Sequence, residues 1–206
     1  MRQQVAQLTN VPTRTTMALV TRGGVVATKN AAEPRPGLSI VKLFIADYAL
    51  RHGDGHPIDR RLAEVMVRFS DDGAAHHLMS KYPKAITKIA REYGMGETQQ
   101  GRSWGTTMTT SVDTAMFLHK LRTRNTNSMV LKWMRTSTAT ASDGTRQNWG
   151  TKGLPGVTGT KWGWSDYGRT ASASASIGDG FSVVAFSWGG LGVQNVDVRP
   201  AARYLG

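Results

Sequence analysis

Strand-type sequence occupies both ends of this chain and helix-type sequence its middle, and that order restricts the fold more than any other feature. Residues 15–29, TTMALVTRGGVVATK, place two β-branched runs on either side of Gly23-Gly24, where paired glycines supply the positive φ of a tight hairpin turn. Strand character returns after Gly156 with residues 157–164, a turn at Ser165-Asp166-Tyr167-Gly168, residues 169–176 with alternating small side chains, Gly178-Asp179-Gly180, and residues 181–188. This spacing is that of an antiparallel meander.

Helical signals fill the interval. Pro34 and Pro36 break the strand pattern, and Gly37-Leu38-Ser39 leads into a helix that runs to about Arg51. Leu62, Val65, Met66 and Phe69 fall at i, i+3, i+4 and i+7, the stripe of an amphipathic helix over 59–69. Ser70-Asp71-Asp72-Gly73 interrupts it, and the next helix spans 74–82 with Asp72 placed to cap it. Pro83 opens a helix closed by Gly94. A polar loop over 96–107 precedes helices at about 111–121 and 129–134. The expected fold is α/β (α+β): an antiparallel sheet formed by both chain termini, with an inserted helical lobe. The chain reads as one domain, 1–206, with its sheet part at about 1–36 and 150–206 and the lobe at about 37–149.

Composition narrows the functional classes. With 206 residues, 39% apolar and 19% charged, the chain is long enough for a substantial core. No apolar run reaches the roughly 18 residues of a membrane span, and MRQQVAQLTN lacks the apolar stretch of a signal peptide. The absence of cysteine excludes disulfides, thiolate metal sites and a cysteine nucleophile. A net charge of +12 gives a field that attracts polyanions, nucleic acid or an anionic cell wall. The basic residues scatter (Arg60-Arg61; Lys81, Lys84 and Lys88; Arg122 and Arg124; Lys132 and Arg135), and no nucleic-acid reading motif accompanies them, so nucleic acid is the disfavoured partner. His76-His77 diverge by about 100° on a helix and lack ligand spacing, so no metal site is expected. Gly189-Gly190 lacks the Lys-Ser/Thr partner of a phosphate loop, and no cofactor is implied.

One polar residue stands out inside an apolar run. In PGLSIVKLFIA, Lys42 is the lone charge between Ile40 and Ala46, three residues after Ser39 on the same helical face. A serine hydroxyl needs something to take its proton, and burial lowers a lysine pKa enough to do so. The backbone N–H groups of a helix N-terminus favour the oxyanion of an attacked carbonyl. The bland alternative is a plain first-turn serine beside a lysine that snorkels to solvent.

Ser39-Ile40-Val41-Lys42, then Ser70-Asp71-Asp72 between two helices, then Lys161-Trp162-Gly163 on a strand resemble, in order, the three boxes of the penicillin-recognising serine hydrolases. Those boxes are Ser-x-x-Lys, Ser-Asp-Asn and Lys-Thr/Ser-Gly, and the family comprises serine β-lactamases and DD-peptidases. The stretch from Trp104 through Ala115 resembles the threonine-rich lead-in to the family's helix before the third box. The resemblance implies that Ser39 is the acylated nucleophile, Lys42 its general base, and Ser70 the shuttle to the leaving group. Lys161 would keep Lys42 neutral and bind an anionic substrate group, and the N–H groups of Ser39 and Trp164 would form the oxyanion hole.

The departures carry information too. Asp72 replaces the family's asparagine, and a carboxylate near Lys42 favours the charged amine; either Asp72 points away or the proton chemistry differs. Trp162 stands where a hydroxyl would hold a substrate carboxylate, with Thr160 and Ser165 close by as substitutes. Glu97 is the lone acid of the loop 96–107, where a deacylating glutamate would sit in class A enzymes. The implied function is a serine hydrolase acting on peptidoglycan-type peptides or β-lactams in the cell envelope or outside the cell. The alternative is a catalytically impaired member that binds or scaffolds the cell wall. Asp72, Thr160, Trp162, Gly163 and Trp164 are the expected substrate-binding positions; the oligomeric state stays open.

Overall fold

The computed structural model describes residues 5–166 and 170–205. In chain order, β1 (Val5–Gln7), β2 (Thr15–Thr21), β3 (Gly24–Ala27) and β4 (Arg35–Pro36) lead to α1 (Lys42–His52), α2 (Pro57–Arg68), α3 (Asp72–Lys81) and α4 (Ala85–Tyr93). Then come β5 (Met108–Thr109), α5 (Ser111–Arg124), α6 (Met129–Arg135), β6 (Val157–Trp164), β7 (Ala171–Gly178), β8 (Phe181–Trp188) and α7 (Leu191–Asp197). Six strands form one sheet in the order β1-β3-β2-β8-β7-β6, while β4 and β5 make a separate two-stranded ribbon.

The seam of the sheet joins the two ends of the sequence: β2 pairs antiparallel with β8, from Thr15 opposite Ser187 to Val20 opposite Ser182. The hairpin and the meander fall where the glycine and turn signals put them. One edge differs from the antiparallel expectation, because the three-residue β1 runs parallel to β3 and makes the sheet mixed. Of the expected turn after Trp164 and strand from residue 169, Tyr167, Gly168 and Arg169 lie outside the described residues; β7 begins at Ala171.

Both faces of the sheet are covered. Ala173, Ala175, Ile177, Val184 and Phe186 pack into the large core shared with the helices, and Met17, Leu19, Val183 and Ala185 face a smaller core closed by Val198 and Ala201. β7 is therefore buried throughout, its alanines toward the helices. Its serines are satisfied on the other side: Ser174 donates to Gln194, and Ser176 bonds the hydroxyls of Thr151 and Thr160. Alternating alanine and serine suit a strand with a tight apolar face and a hydrogen-bonded one.

α1 sits at the centre of the helical layer, with every residue from Lys42 to Ala49 buried, and Phe44 meets Phe117 edge-on at 4.9 Å. A helix without a polar face belongs inside, and its burial fixes the position of whatever it presents at its first turn. Truncating Phe44 to alanine would cost about 3–5 kcal/mol.

Candidate active site

The chain enters α1 through a 3-10 turn, Leu38–Val41, not an α-helical one. Leu38 has φ of 50°, in the left-handed region that a bulky residue avoids, so the backbone beside Ser39 is held in a costly conformation. Behind Ser39 runs β6, and Gly163 is what allows the approach: a Cβ there would lie 2.8 Å from the Ser39 nitrogen and 2.8 Å from Leu38 Cβ. Ser39 is 9% exposed, and its hydroxyl makes no hydrogen bond among the described residues.

β6 is an edge strand, with β7 on one side only. The Ser165 N–H is used by Ala171, so alternation along the strand turns the preceding N–H, that of Trp164, toward the free edge where Ser39 lies. The N–H of Ser39, in the first turn of its 3-10 segment, has no intrahelical partner to claim it. Neither N–H is claimed by a hydrogen bond among the described residues.

Ser70 has φ of 58°, a second non-glycine residue in the left-handed region, and links α2 to α3. The turn brings its two polar atoms to two lysines. Lys42 Nζ donates to the Ser70 carbonyl at 2.6 Å, and Lys161 Nζ donates to Ser70 Oγ at 2.7 Å. Both lysine side chains are fully buried. Ser70, 31 positions after Ser39, lines the same cleft, and Lys161, 122 positions after Ser39, is bonded to Ser70 beneath it.

Asp72 does not point away. Its Oδ1 lies 2.5 Å from Lys42 Nζ, although its side chain is 57% exposed. It is free to do so because Asp71, not Asp72, caps α3, accepting from the Ala74 N–H at 2.7 Å. No hydrogen bond joins Lys42 to Ser39 among the described residues; the ammonium also lies 4.7 Å from the Trp104 ring centroid.

Burial lowers the Lys42 pKa, and the Asp72 charge and hydrogen bond oppose that shift. Lys161 is lowered well below the ordinary lysine value, by complete burial first and by the neighbouring Lys42 charge second. It makes no ion pair among the described residues, its other hydrogen bond being to the Trp162 carbonyl at 3.1 Å. Of the two amines, Lys161 is the one with no carboxylate bonded to it among the described residues.

Above these groups opens a cleft of about 460 Å³, lined by Leu38, Ser39, Ser70 and Trp104 on one side and by Asp143, Trp164 and Ser165 on the other. Several expected positions stand elsewhere. Trp162 is 3% exposed, with its indole N–H donated to the Trp149 carbonyl at 2.8 Å, because it belongs to the buried face of β6. Thr160 is 1% exposed, and its hydroxyl is committed to Ser176, so it does not replace the missing hydroxyl. Lys161 is sequestered beneath Ser70 and presents no surface to an anion. Glu97 is exposed and outside the cleft lining. His76 packs edge-on against Trp104, a helix-surface role.

Ser142 and Asp143 also line the cleft, at positions the sequence did not single out. Asp143 Oδ2 accepts from the Trp164 indole at 3.0 Å, and Ser142 Oγ donates to Asp71 at 3.2 Å, so this loop ties the strand wall to the helical wall. The available signal was Ser142-Asp143-Gly144, a turn within the long segment between α6 and β6 that carries no strand or helix periodicity.

No family model matches the chain. A 78-residue segment is 38% identical to LppW, named as a lipoprotein, of Mycobacterium tuberculosis and Mycobacterium bovis; the match covers 33% of this chain and 25% of that protein. The chain thus matches only about a quarter of the length of these curated relatives. Among solved structures, the β-lactamase of Streptomyces albus G superposes with a TM-score of 0.75 at 18% identity, covering 93% of this chain and 94% of that one. The class A β-lactamase of Mycobacterium abscessus gives 0.74 at 16% identity with the same coverage. Penicillin-binding protein D2 of Listeria monocytogenes gives 0.66 at 18% identity over 92% of this chain and 95% of that one. The chain has the mixed α/β fold of these proteins.

Proposed function

We propose that this protein is a serine hydrolase of the β-lactamase/DD-peptidase type that forms an acyl-enzyme on Ser39. The observation that carries the reading is the 2.7 Å contact of Lys161 with Ser70 in the same cleft as the unpartnered Ser39 hydroxyl. In the proposed sequence Ser39 Oγ attacks a carbonyl carbon while its proton passes to Ser70 Oγ and the Ser70 proton passes to Lys161 Nζ. The oxyanion is held by the N–H groups of Ser39 and Trp164. Collapse breaks the bond to the leaving group, which takes its proton back through Ser70, and water then releases the acyl group.

This assigns the two lysines differently from the family pattern. Lys42, tied to Asp72 and the Ser70 carbonyl, anchors the Ser70 turn and supplies the positive field that keeps Lys161 neutral. The fold shared with β-lactamases and a penicillin-binding protein supports peptidoglycan-type peptides or β-lactams as the class of acyl donor, and the lipoprotein relative and the net positive charge suit a place in the cell envelope. With Glu97 outside the cleft, deacylation is slow.

A second reading has its own support. The 2.5 Å pairing of Lys42 with Asp72, in place of a bond to Ser39, favours a member of the fold that binds wall peptides without turnover. Incubation with a fluorescent penicillin and with a neutral p-nitrophenyl ester, followed by intact mass of the native protein and Ser39→Ala, separates the two. One adduct per native molecule and none on S39A supports the hydrolase; no adduct from either reagent overturns it.

A further inference from the structure

The cleft has the wrong sign of charge for an anionic substrate. Four of the 14 acidic residues of this basic protein, Asp71, Asp72, Asp143 and Asp166, line one cleft, and no lysine or arginine is among its described lining residues. Asp72 is offset by Lys42; Asp71, Asp143 and Asp166 have no ion-pair partner among the described residues. Burial would raise the Asp143 carboxyl, but the Thr145 N–H and hydroxyl, the Trp164 indole and the Lys42 charge outweigh it, so the group is a carboxylate at neutral pH.

Three further observations point the same way. Most positions expected to hold a substrate carboxylate have turned inward: Lys161 is beneath Ser70, Trp162 is buried against Trp149, and Thr160 is bonded to Ser176; Ser165 stays on the cleft wall, but its hydroxyl accepts the Ala171 N–H at 3.1 Å. Two indoles, Trp104 and Trp164, line the cleft with the acids, the pairing of aromatic and carboxylate that recognises organic cations. Ser39, nine-tenths buried and without a partner, faces the same space and marks it as a place for a ligand. The carboxylates are not gathered into a metal site, since no three acidic or histidine groups among the described residues cluster for one. The net charge of +12 does not cancel this, because at physiological salt the field is screened over about 8 Å and the cleft responds to its own walls.

We propose that the cleft takes acyl donors carrying a positive charge, such as an ammonium-bearing peptide, in preference to donors carrying a carboxylate. The assignment rests on the Ser39 reading for the chemistry and on the cleft walls alone for the charge preference. It predicts that ordinary penicillins, which are anions, react slowly.

The test uses the whole chain and an isosteric series. The p-nitrophenyl esters of 4-(trimethylammonio)butanoic, 5,5-dimethylhexanoic and glutaric acid (as its monoester) present a cation, a neutral group and an anion at one place. Acylation is followed by nitrophenolate release and intact mass. The corresponding primary amides are titrated while the indole N–H resonances of Trp104 and Trp164 are observed by NMR, which reads binding without catalysis.

The expected order is cation over neutral over anion, with at least about a tenfold step from cation to neutral. The step should shrink with added salt and in Asp143→Asn, and in Asp166→Asn should the first variant fold poorly. Equal rates for cation and neutral ester, with Ser39 acylated, would overturn the charge preference and leave the hydrolase reading intact. If no ester acylates Ser39 but the cationic amide still binds best, the charge assignment stands and the hydrolase reading falls. Neither acylation nor a charge preference in binding overturns both.

Discussion

Lys161 Nζ and Ser70 Oγ lie 2.7 Å apart although 91 residues separate them in the chain, and this contact couples the sheet to the helical layer at the floor of the cleft. If Lys161 is the amine that accepts the proton, Lys161→Met and Ser70→Ala should each reduce acylation by about 10²–10⁴-fold, the usual worth of a general base. Stopped-flow release of nitrophenolate from the neutral ester measures it.

The pH dependence follows from the direction of the lysine shifts. Lys161 can serve as the proposed base only when neutral, and burial with the Lys42 charge lowers its pKa well below the ordinary 10.5. The rate of acylation should therefore rise with pH through that lowered value and reach its plateau well before pH 10.5. A rising limb at the ordinary lysine value would exclude Lys161 as the base.

The same shift has a stability consequence. In the unfolded chain the lysine titrates near 10.5, so over the interval below that the unfolded state holds the additional proton and stability falls as pH falls. Lys161→Met removes this penalty. The variant should be more stable than the native chain at pH 7, with the difference shrinking toward pH 11, as denaturant midpoints at several pH values would report.

Asp72→Asn isolates the pair at Lys42. Burial lowers the Lys42 amine and Asp72 opposes it, so removing the carboxylate should lower the Lys42 pKa further. NMR titration of lysine side chains labelled at Cε, with Lys42→Arg for assignment, tests the direction. An upward or absent shift would mean that the ion pair does not govern Lys42.

Gly163→Ala tests the close approach of β6 to Ser39. The added Cβ meets the Ser39 backbone nitrogen at 2.8 Å, so β6 and Ser39 must separate. A loss of about 1–3 kcal/mol in stability is expected from the overpacking, with acylation reduced about 10²-fold by the misplaced geometry. Unchanged rates would show that the oxyanion donors are not set by this contact.

Much of this arrangement could be read from residue patterns. The strand expected at 157–164 is β6, Val157–Trp164, and proline and glycine bracket α4 as anticipated, because these signals act locally on the backbone. The choice between Asp71 and Asp72 as helix cap was not legible, since both side chains can cap and the outcome turns on the left-handed Ser70, after which the cap falls one residue earlier than expected. That one-residue difference decides whether Lys42 receives a carboxylate. The inward turn of Thr160 and Trp162 depends on which face of β6 meets β7 and the segment 149–153, a tertiary matter. Asp143 escaped notice because its partners, the indole of Trp164 and the N–H of Thr145, form only once the loop is folded. Three-residue β1 is too short to show a period.

Peptide mapping of the folded protein after reaction with a neutral activated ester, set beside the same reaction on urea-unfolded chain and on Ser39→Ala, weighs most directly on the account. A single acyl group located on Ser39 in the folded protein, and absent from both controls, is the predicted result. Acylation spread over surface lysines, or equal labelling of the folded chain and S39A, would contradict it.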